Sequence, residues 1–592
     1  MIMFWVLFKL FDPLAMESAT KQSSARFLAG LSDAFYGMQD SPARDRISVV
    51  EVTDKDLSGE YFATTWPLTY ARHAEVIDRM LDAGPAAIMV DIRFNAERAG
   101  ESLQDTFGPV IARAKRMGVP LFFARGQLGG GYDDLPEPLT QSQIINGWKM
   151  PAGFYPLLLA PPPPQASGDD DGGDGEEGED APRTVPVGAF ALYRTLCASG
   201  WQKSCPADMS EHTFGQPLVE RWGLRAPRYQ DLYAKTDGCL PDIHDMPVLR
   251  VWDAARIGAR ALFGYFSKDI RQKCQYHLTV PVRYLDRNLE PDVRNLEPAF
   301  RNRVVFYGTH INGDHDVVDV PMIGQEPGVH EHAMALDNLL TYNERYFREP
   351  GEWISTRWLK IDSAECLEFV VWLFIAAYSY SMIHEPVSVS ARASRVLTAA
   401  CVAMSVLLGV ATSLYATNPD RWHMLMLPAL GLFGVALAAW AYAHHVTRSI
   451  GQWISTNRSR AIMVAVVFSA SLLGLDVGLL RHGTYGFWAL FLVYGLLAVL
   501  LCLSILTSAS NDQNTGKERE KGKRYYFSKL LLSVTVVAVM FVINEDLLLW
   551  PMEDWIGFVL LWLALSETGE DTGFVWSVLT PLTGEKKPEE NS

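Results

Sequence analysis

The sequence predicts an α/β extracytoplasmic domain, a parallel or mixed sheet with helices on both faces, joined to an all-α membrane domain of about seven helices. Three observations predict it. Apolar runs of strand length alternate with helical patterns before residue 345, long uncharged runs crowd the chain after residue 366, and basic residues favour alternate loops between those runs. A chain of 592 residues is also too long for one core, because single domains hold about 100 to 200 residues.

The first eleven residues, MIMFWVLFKLF, are apolar but carry Lys9 and fall short of the ~20 residues that cross a bilayer. No A-x-A pattern follows, so residues 1–11 are read as an uncleaved signal anchor. ISVVEVTD at 47–54 is an apolar run ending in an acid, as a buried parallel strand should be. Ala71, Ala74, Ile77, Met80 and Leu81 then recur at helical spacing, before a second strand AAIMVD at 86–91. A helix over 102–117 and a strand VPLFFA at 119–124 complete a βαβ series. Trp66 and Pro67, in WPLTY, are expected to cap the sheet, with the Trp66 ring in the core.

Residues 161–184 interrupt the pattern with prolines, glycines and eight acids, the composition of a disordered surface loop. The carboxylates lack the fixed glycine and terminal glutamate of an EF-hand. RVVFYGTH at 303–310 resumes the sheet as a strand ending in a glycine loop, and PGVHEHAMALDNLL opens a helix at Pro327 and Gly328. Ala333, Leu336, Leu339 and Leu340 share one face of it. His330 and His332 point about 200° apart on such a helix, so they cannot hold one metal as the histidines of H-E-x-x-H do. No metal and no cofactor are expected.

Other chemistries are excluded directly. G-x-x-x-x-G-K-S/T, G-x-S-x-G and the kinase signatures are absent, and GQLGGGYDDL opens no apolar helix. A net charge of −16 opposes a nucleic-acid partner.

The order ISVVEVTDKDL, WPLTYARHAEVIDRMLDAGPAAIMVDIRF, RVVFYGTH and VDVPMIGQEPGVHEHAMALDNLL resembles the CHASE type-two domain, an extracellular sensor of bacterial cyclases and histidine kinases. The resemblance spans about residues 12–345, is most specific at PGVHEHAMALDNLL, and departs from the pattern in the middle. It implies a periplasmic α/β sensor followed by membrane helices. The catalytic domain that usually follows has no counterpart here, since only a Glu- and Lys-rich segment, 567–592, lies beyond the last apolar run.

After a linker at 346–366, spans are expected at about 367–383, 394–416, 423–445, 461–480, 485–508, 527–544 and 547–566. One set of loops carries Arg392, Arg395, Arg448, Arg458, Arg460, Lys517, Arg519, Lys521, Lys523 and Arg524; the other carries only Arg421 and Arg481. Ten against two puts the first set in the cytoplasm and residues 12–366 in the periplasm of a multi-pass bacterial inner-membrane protein. Cys197, Cys205, Cys239 and Cys274 then lie in a disulfide-permitting compartment, where Cys197 with Cys205 and Cys239 with Cys274 is the simplest of three pairings. Asp476, Arg481, Glu553 and Asp554 fall within or beside apolar runs and are read as a membrane polar site, with the outer interface as the alternative for the acids.

In an open parallel sheet, ligands bind beyond the carboxyl ends of the strands. Those ends carry Asp54, Asp56, Asp91, Arg93, Arg125 and His310, with His330 near a helix start that favours an anion. The competing reading is that Asp54 and Asp91 cap loops and pair with Arg72 or Arg93. The expected function is sensing: a small-molecule or protein ligand outside, lipid around the helices, and a separate output protein, with no enzymatic activity. A membrane effector, channel or transporter gated by the outer domain is the alternative, and a homo-oligomer is left open.

Overall fold

The computed structural model describes residues 43–58, 65–94, 101–127, 143–147, 154–159, 184–223, 229–234, 275–286, 296–312, 316–320, 324–348, 352–355, 360–362 and 402–404, with isolated residues and pairs between Tyr36 and Ala436. The chain divides into two compact units, Arg26–Glu349 and a second made of Met1–Ala25 with Pro350–Ser592. In the second, Glu352–Ser355 pairs antiparallel with Lys360–Asp362. Among the described residues no helix is long and apolar enough to cross a membrane. The seven expected spans lie outside the described residues but for isolated positions such as Val396 and Leu432, and so do residues 1–11, nearly all of the acidic insert, Asp476, Arg481, Glu553, Asp554, Cys239 and Cys274.

The unit Arg26–Glu349 is built on six parallel strands: β1 (Ile47–Thr53), β2 (Ala87–Val90), β3 (Leu121–Gln127), β4 (Gln143–Gly147), β5 (Leu278–Pro281) and β6 (Val304–His310), in the order β4-β3-β2-β6-β1-β5. Buried on both faces, β1, β2 and β6 read as almost unbroken apolar runs. The parallel α/β architecture expected from the sequence is therefore present.

Helices α1 (Tyr70–Asp82) and α2 (Leu103–Met117) cover one face. Each starts where a hydroxyl satisfies a free amide: Thr69 Oγ1 accepts from the Arg72 N–H, and Ser102 Oγ from that of Asp105. Ile77, Met80, Leu81, Phe107 and Ile111 meet Val50, Val52, Ile88, Val90 and Tyr307 there. Each fully buried side chain of this size contributes about 1.5 to 3 kcal/mol. Trp66 is only half-buried, packed against this core rather than within it, which corrects the expectation for that ring.

Helices α3 (Gly188–Ala198) and α4 (Gly328–Tyr342) cover the opposite face, where Ile47, Val49, Ala87, Met89, Val304 and Phe306 meet Phe190, Tyr193, Ala333, Leu336 and Leu339. At the end of α3, Cys197 and Cys205 form the expected disulfide, with their Cα atoms 5.9 Å apart. Helix α4 departs from the usual amphipathic pattern, since every residue from Gly328 to Leu340 is buried. Its polar members must therefore find partners inside the protein. Asn338 does so with the backbone, accepting from the Arg221 N–H at 3.0 Å and donating to the Arg221 carbonyl at 2.9 Å.

Candidate functional site

Side chains alternate along a strand, so the residues after Val49, Met89 and Phe306 on the α4 face are fixed by counting. They are Glu51, Asp91, and Gly308 followed by His310. Three adjacent strands thus deliver two carboxylates and an imidazole to one face at the carboxyl end of the sheet, in the register Glu51 opposite Gly308 and Thr53 opposite His310. Gly308 sits within β6, not in the loop expected after it. A Cβ there would lie 2.6 Å from Val329 Cβ, so its absence lets the start of α4 settle directly on the sheet.

That helix start carries the opposing groups. His330 Nε2 lies 2.5 Å from Glu51 Oε1, and His310 Nδ1 lies 3.6 Å from the same oxygen. Burial favours the protonated Glu51 carboxyl, but the two imidazoles outweigh it and hold Glu51 well below the usual carboxylate range. His310 is raised by its bond to Glu51. His332 turns the other way, with Nε2 3.5 Å from Asp91 Oδ1 and Nδ1 2.7 Å from the Tyr155 hydroxyl. Tyr155 in turn accepts from the Ala189 N–H at 2.7 Å. When the ring is neutral and that phenol donates to Nδ1, the ring's proton sits on Nε2 and faces Asp91. Burial lowers His332, yet Asp91 and Glu331 raise it further. Gly188, at φ +32°, makes room for this contact, since a Cβ there would fall 2.1 Å from the Tyr155 oxygen and 2.7 Å from His332 Nδ1.

Between the two histidines, Glu331 is buried with Asp91 and Asp316 nearby, and desolvation with those charges pushes it up to about 7 against the pull of His332. Glu326, just before α4, is raised by burial and accepts from Gln275 Nε2 at 3.0 Å. Asp91 Oδ2 is buried without a hydrogen bond among the described residues. Deeper along α4, Asp337 accepts from the Tyr36 hydroxyl and lies 3.1 Å from His277 Nε2. As counted on the helix, His330 and His332 serve different partners, and no metal-holding group of three is found among the described residues.

The family model for the CHASE2 domain matches residues 14–378. The chain belongs to the CHASE2 family. No curated protein and no solved structure matches it. CHASE2 is a family of sensory domains.

Of the residues expected at the CHASE2 rim, Asp91, His310 and His330 are brought together on the α4 face, with His330 fully buried against Glu51 and His310 27% exposed. Asp54 lies beyond them at the end of β1, its carboxylate accepting from the Asn312 N–H at 3.2 Å and from Asn312 Nδ2 at 2.5 Å. Asp56 does not join them. It turns back to accept from the Thr53 N–H and hydroxyl, and is fully buried against Arg283 at 3.0 Å. Arg93 is exposed, and Arg125 is placed by its backbone alone, opposite Asn146. As for the competing pairing of Asp54 or Asp91 with Arg72 or Arg93, among the described residues Arg72 bonds Glu75, Asp54 bonds Asn312 and Asp91 meets His332. An anion at the helix start is also disfavoured, because Glu51, Asp91, Asp316, Glu326 and Glu331 gather around it. The sequence reading missed Glu51, His332, Glu331, Glu326 and Asp337 as members of a site. The available signal was a carboxylate inside an apolar strand and five polar residues in the otherwise apolar stretch Gly328–Leu340.

Proposed function

We propose that this chain is a membrane-bound sensory protein whose CHASE2 domain lies outside the bacterial inner membrane, binds a small molecule or protein ligand, and relays the change through its apolar segments to a separate output protein. The observation that carries the reading is family membership across residues 14–378. The rim supplies the contact groups: His310, Asp54 and Asn312 are accessible, and the surrounding carboxylates suit a cationic or hydrogen-bond-donating ligand. Coupling of this kind needs a differential affinity of about 1 to 3 kcal/mol between two states. In this reading the output is a second protein's work.

The test is thermal unfolding of the purified full-length chain against a panel of cationic and neutral small molecules and an extracellular extract at fixed pH. A ligand at 100 times its Kd should stabilise by about 2.7 kcal/mol, and His310→Gln with Asp54→Asn should abolish the gain. No stabilisation by any of them would overturn the reading. A gated membrane effector is the second reading, favoured by Asp476, Arg481, Glu553 and Asp554 in and beside apolar runs. Ligand-dependent ion flux in proteoliposomes would establish it in place of the first.

A further inference from the structure

The start of α4 carries His330, Glu331 and His332 in succession, all buried, and each belongs to a different electrostatic environment. Glu51 reaches His330 from β1, His310 joins from β6, Asp91 reaches His332 from the end of β2, and Glu326 lies one turn upstream. Asp316 stands against Gly328, whose N–H donates to its carbonyl at 3.0 Å. Tyr155 meets His332 from the short strand Phe154–Tyr155, with Glu220 acting on that phenol, while Asp54 and His277 act on His310 and along α4.

Count the charges in the inner group. Four carboxylates, Glu51, Asp91, Glu326 and Glu331, face three histidines, His310, His330 and His332. Among the described residues, every ion pair these acids make is with a histidine. Histidine is the counter-charge that titrates near neutrality, so raising the pH takes positive charge from His310 and His332 and leaves buried negative groups opposite them. A buried charge that loses its partner is costly. The cluster is therefore in electrostatic balance only while it holds protons.

We propose that the first two turns of α4 form a proton-operated latch: the contacts of His310 and His330 with Glu51, and of His332 with Asp91, fasten the helix start to the strand ends at mildly acidic pH, and raising the pH loosens it. The titration behaviour of the groups agrees in sign. Glu331 is pushed up to about 7, and His310 and His332 are raised, so all three favour holding their protons in the folded state. The helix so controlled is the last long one before the chain passes into the second unit at Pro350. The latch stands on its own geometry; only its use as a signal rests on the sensor reading above.

Amide hydrogen exchange of the full-length chain, corrected for the intrinsic pH dependence of exchange, tests it between about pH 5.5 and 8.5. Protection of residues 328–334 should fall as pH rises from about 6 to 8, approaching tenfold per pH unit where one proton is released. Residues 74–81 of α1 serve as the internal reference, and above about pH 6.5 their protection should fall less steeply than that of residues 328–334. Glu331→Gln should flatten the α4 profile, and His212→Gln, an exposed histidine elsewhere, should not. Protection at 328–334 that stays parallel to α1 in the wild type would overturn the latch, as would a Glu331→Gln slope equal to the wild type. Should Glu331→Gln fail to fold, the wild-type profile decides alone. A flat profile beside intact ligand stabilisation sinks the latch and spares the sensor reading; a sloped profile without any ligand does the reverse.

Discussion

The two faces of the central sheet are made by the same strands and buried to the same depth, yet they treat a buried histidine in opposite ways. On the α1 side, His73 bonds the Tyr307 hydroxyl at 2.8 Å and is walled in by the rings of Trp66 and Phe94. Burial, helped by Arg98, pushes it down to about 3, so it is neutral at any physiological pH. On the α4 side, His310 and His332 are raised because carboxylates stand opposite them. His73, walled in by neutral rings, is inert scaffold, whereas His310 and His332 keep their protons to higher pH because their carboxylate contacts outweigh burial. The division of labour follows from which residues the strand period sends to each side.

The largest effect should come from the inert side. Phe107, fully buried against Tyr70, Phe94 and Phe123, should cost about 3 to 5 kcal/mol when replaced by Ala. Denaturant unfolding measures it, and the pH profile of α4 exchange in that variant should keep its shape. A changed profile would mean the two faces are not separable.

Next in size is Glu51→Gln, which removes the charge shared by His330 and His310 while keeping the shape. It should cost about 1 to 3 kcal/mol near neutrality. The midpoint of the His310 ring signals in a proton NMR titration should fall, because the bond to Glu51 is the main cause of its elevation. An unmoved midpoint would detach His310 from the strand carboxylate.

The pH dependence of global stability sharpens the same contrast. Glu331, raised to about 7, and His310 and His332, also raised, contribute stability that is present at acid pH and lost as pH rises through their folded values. His73, lowered to about 3, and His277, also lowered, contribute stability that is present above about pH 6.5 and lost as pH falls. The two groups of residues therefore bound a dome with its top near pH 6.5, each net proton being worth about 1.4 kcal/mol per pH unit on either flank. Thermal unfolding at closely spaced pH values would show it, and a maximum above pH 8 would contradict the assignment of the α4 side. Smallest is Trp66→Ala: the ring is half-buried, so about 1 to 1.5 kcal/mol is expected rather than the cost of a core truncation. A loss of 4 kcal/mol would place the ring inside.

Much of this contrast was hidden in the sequence. The run of strand β1, the helical spacing of α1 and the helix opening at Gly328 could be read because each depends on neighbours a few residues apart. The separation of His330 from His332 was legible for the same reason, and the two rings meet Glu51 and Asp91 respectively. Glu51 could not be given a role, because its partner His330 lies 279 positions away and only the parity of β1 brings them together. Asp56 looked like a rim carboxylate two residues past a strand end, but a capping interaction with Thr53 and an ion pair with Arg283 turned it inward. Gly308 read as loop punctuation, whereas its place in the strand comes from the close approach of Val329. Local chemistry was legible; pairing across the sheet was not.

The hydroxyl of Tyr155 has a consequence for α3 as well as for α4. It touches the first amide of α3 after Gly188 and the Nδ1 of His332 at 2.7 Å each. While the ring is neutral the phenol gives its hydrogen to Nδ1. Once the ring takes a second proton, the phenol oxygen must accept from both sides and swing its hydrogen elsewhere. A single O–H rotor thus carries news of one proton sideways, from the helix that closes the domain to a helix that never touches the carboxylates.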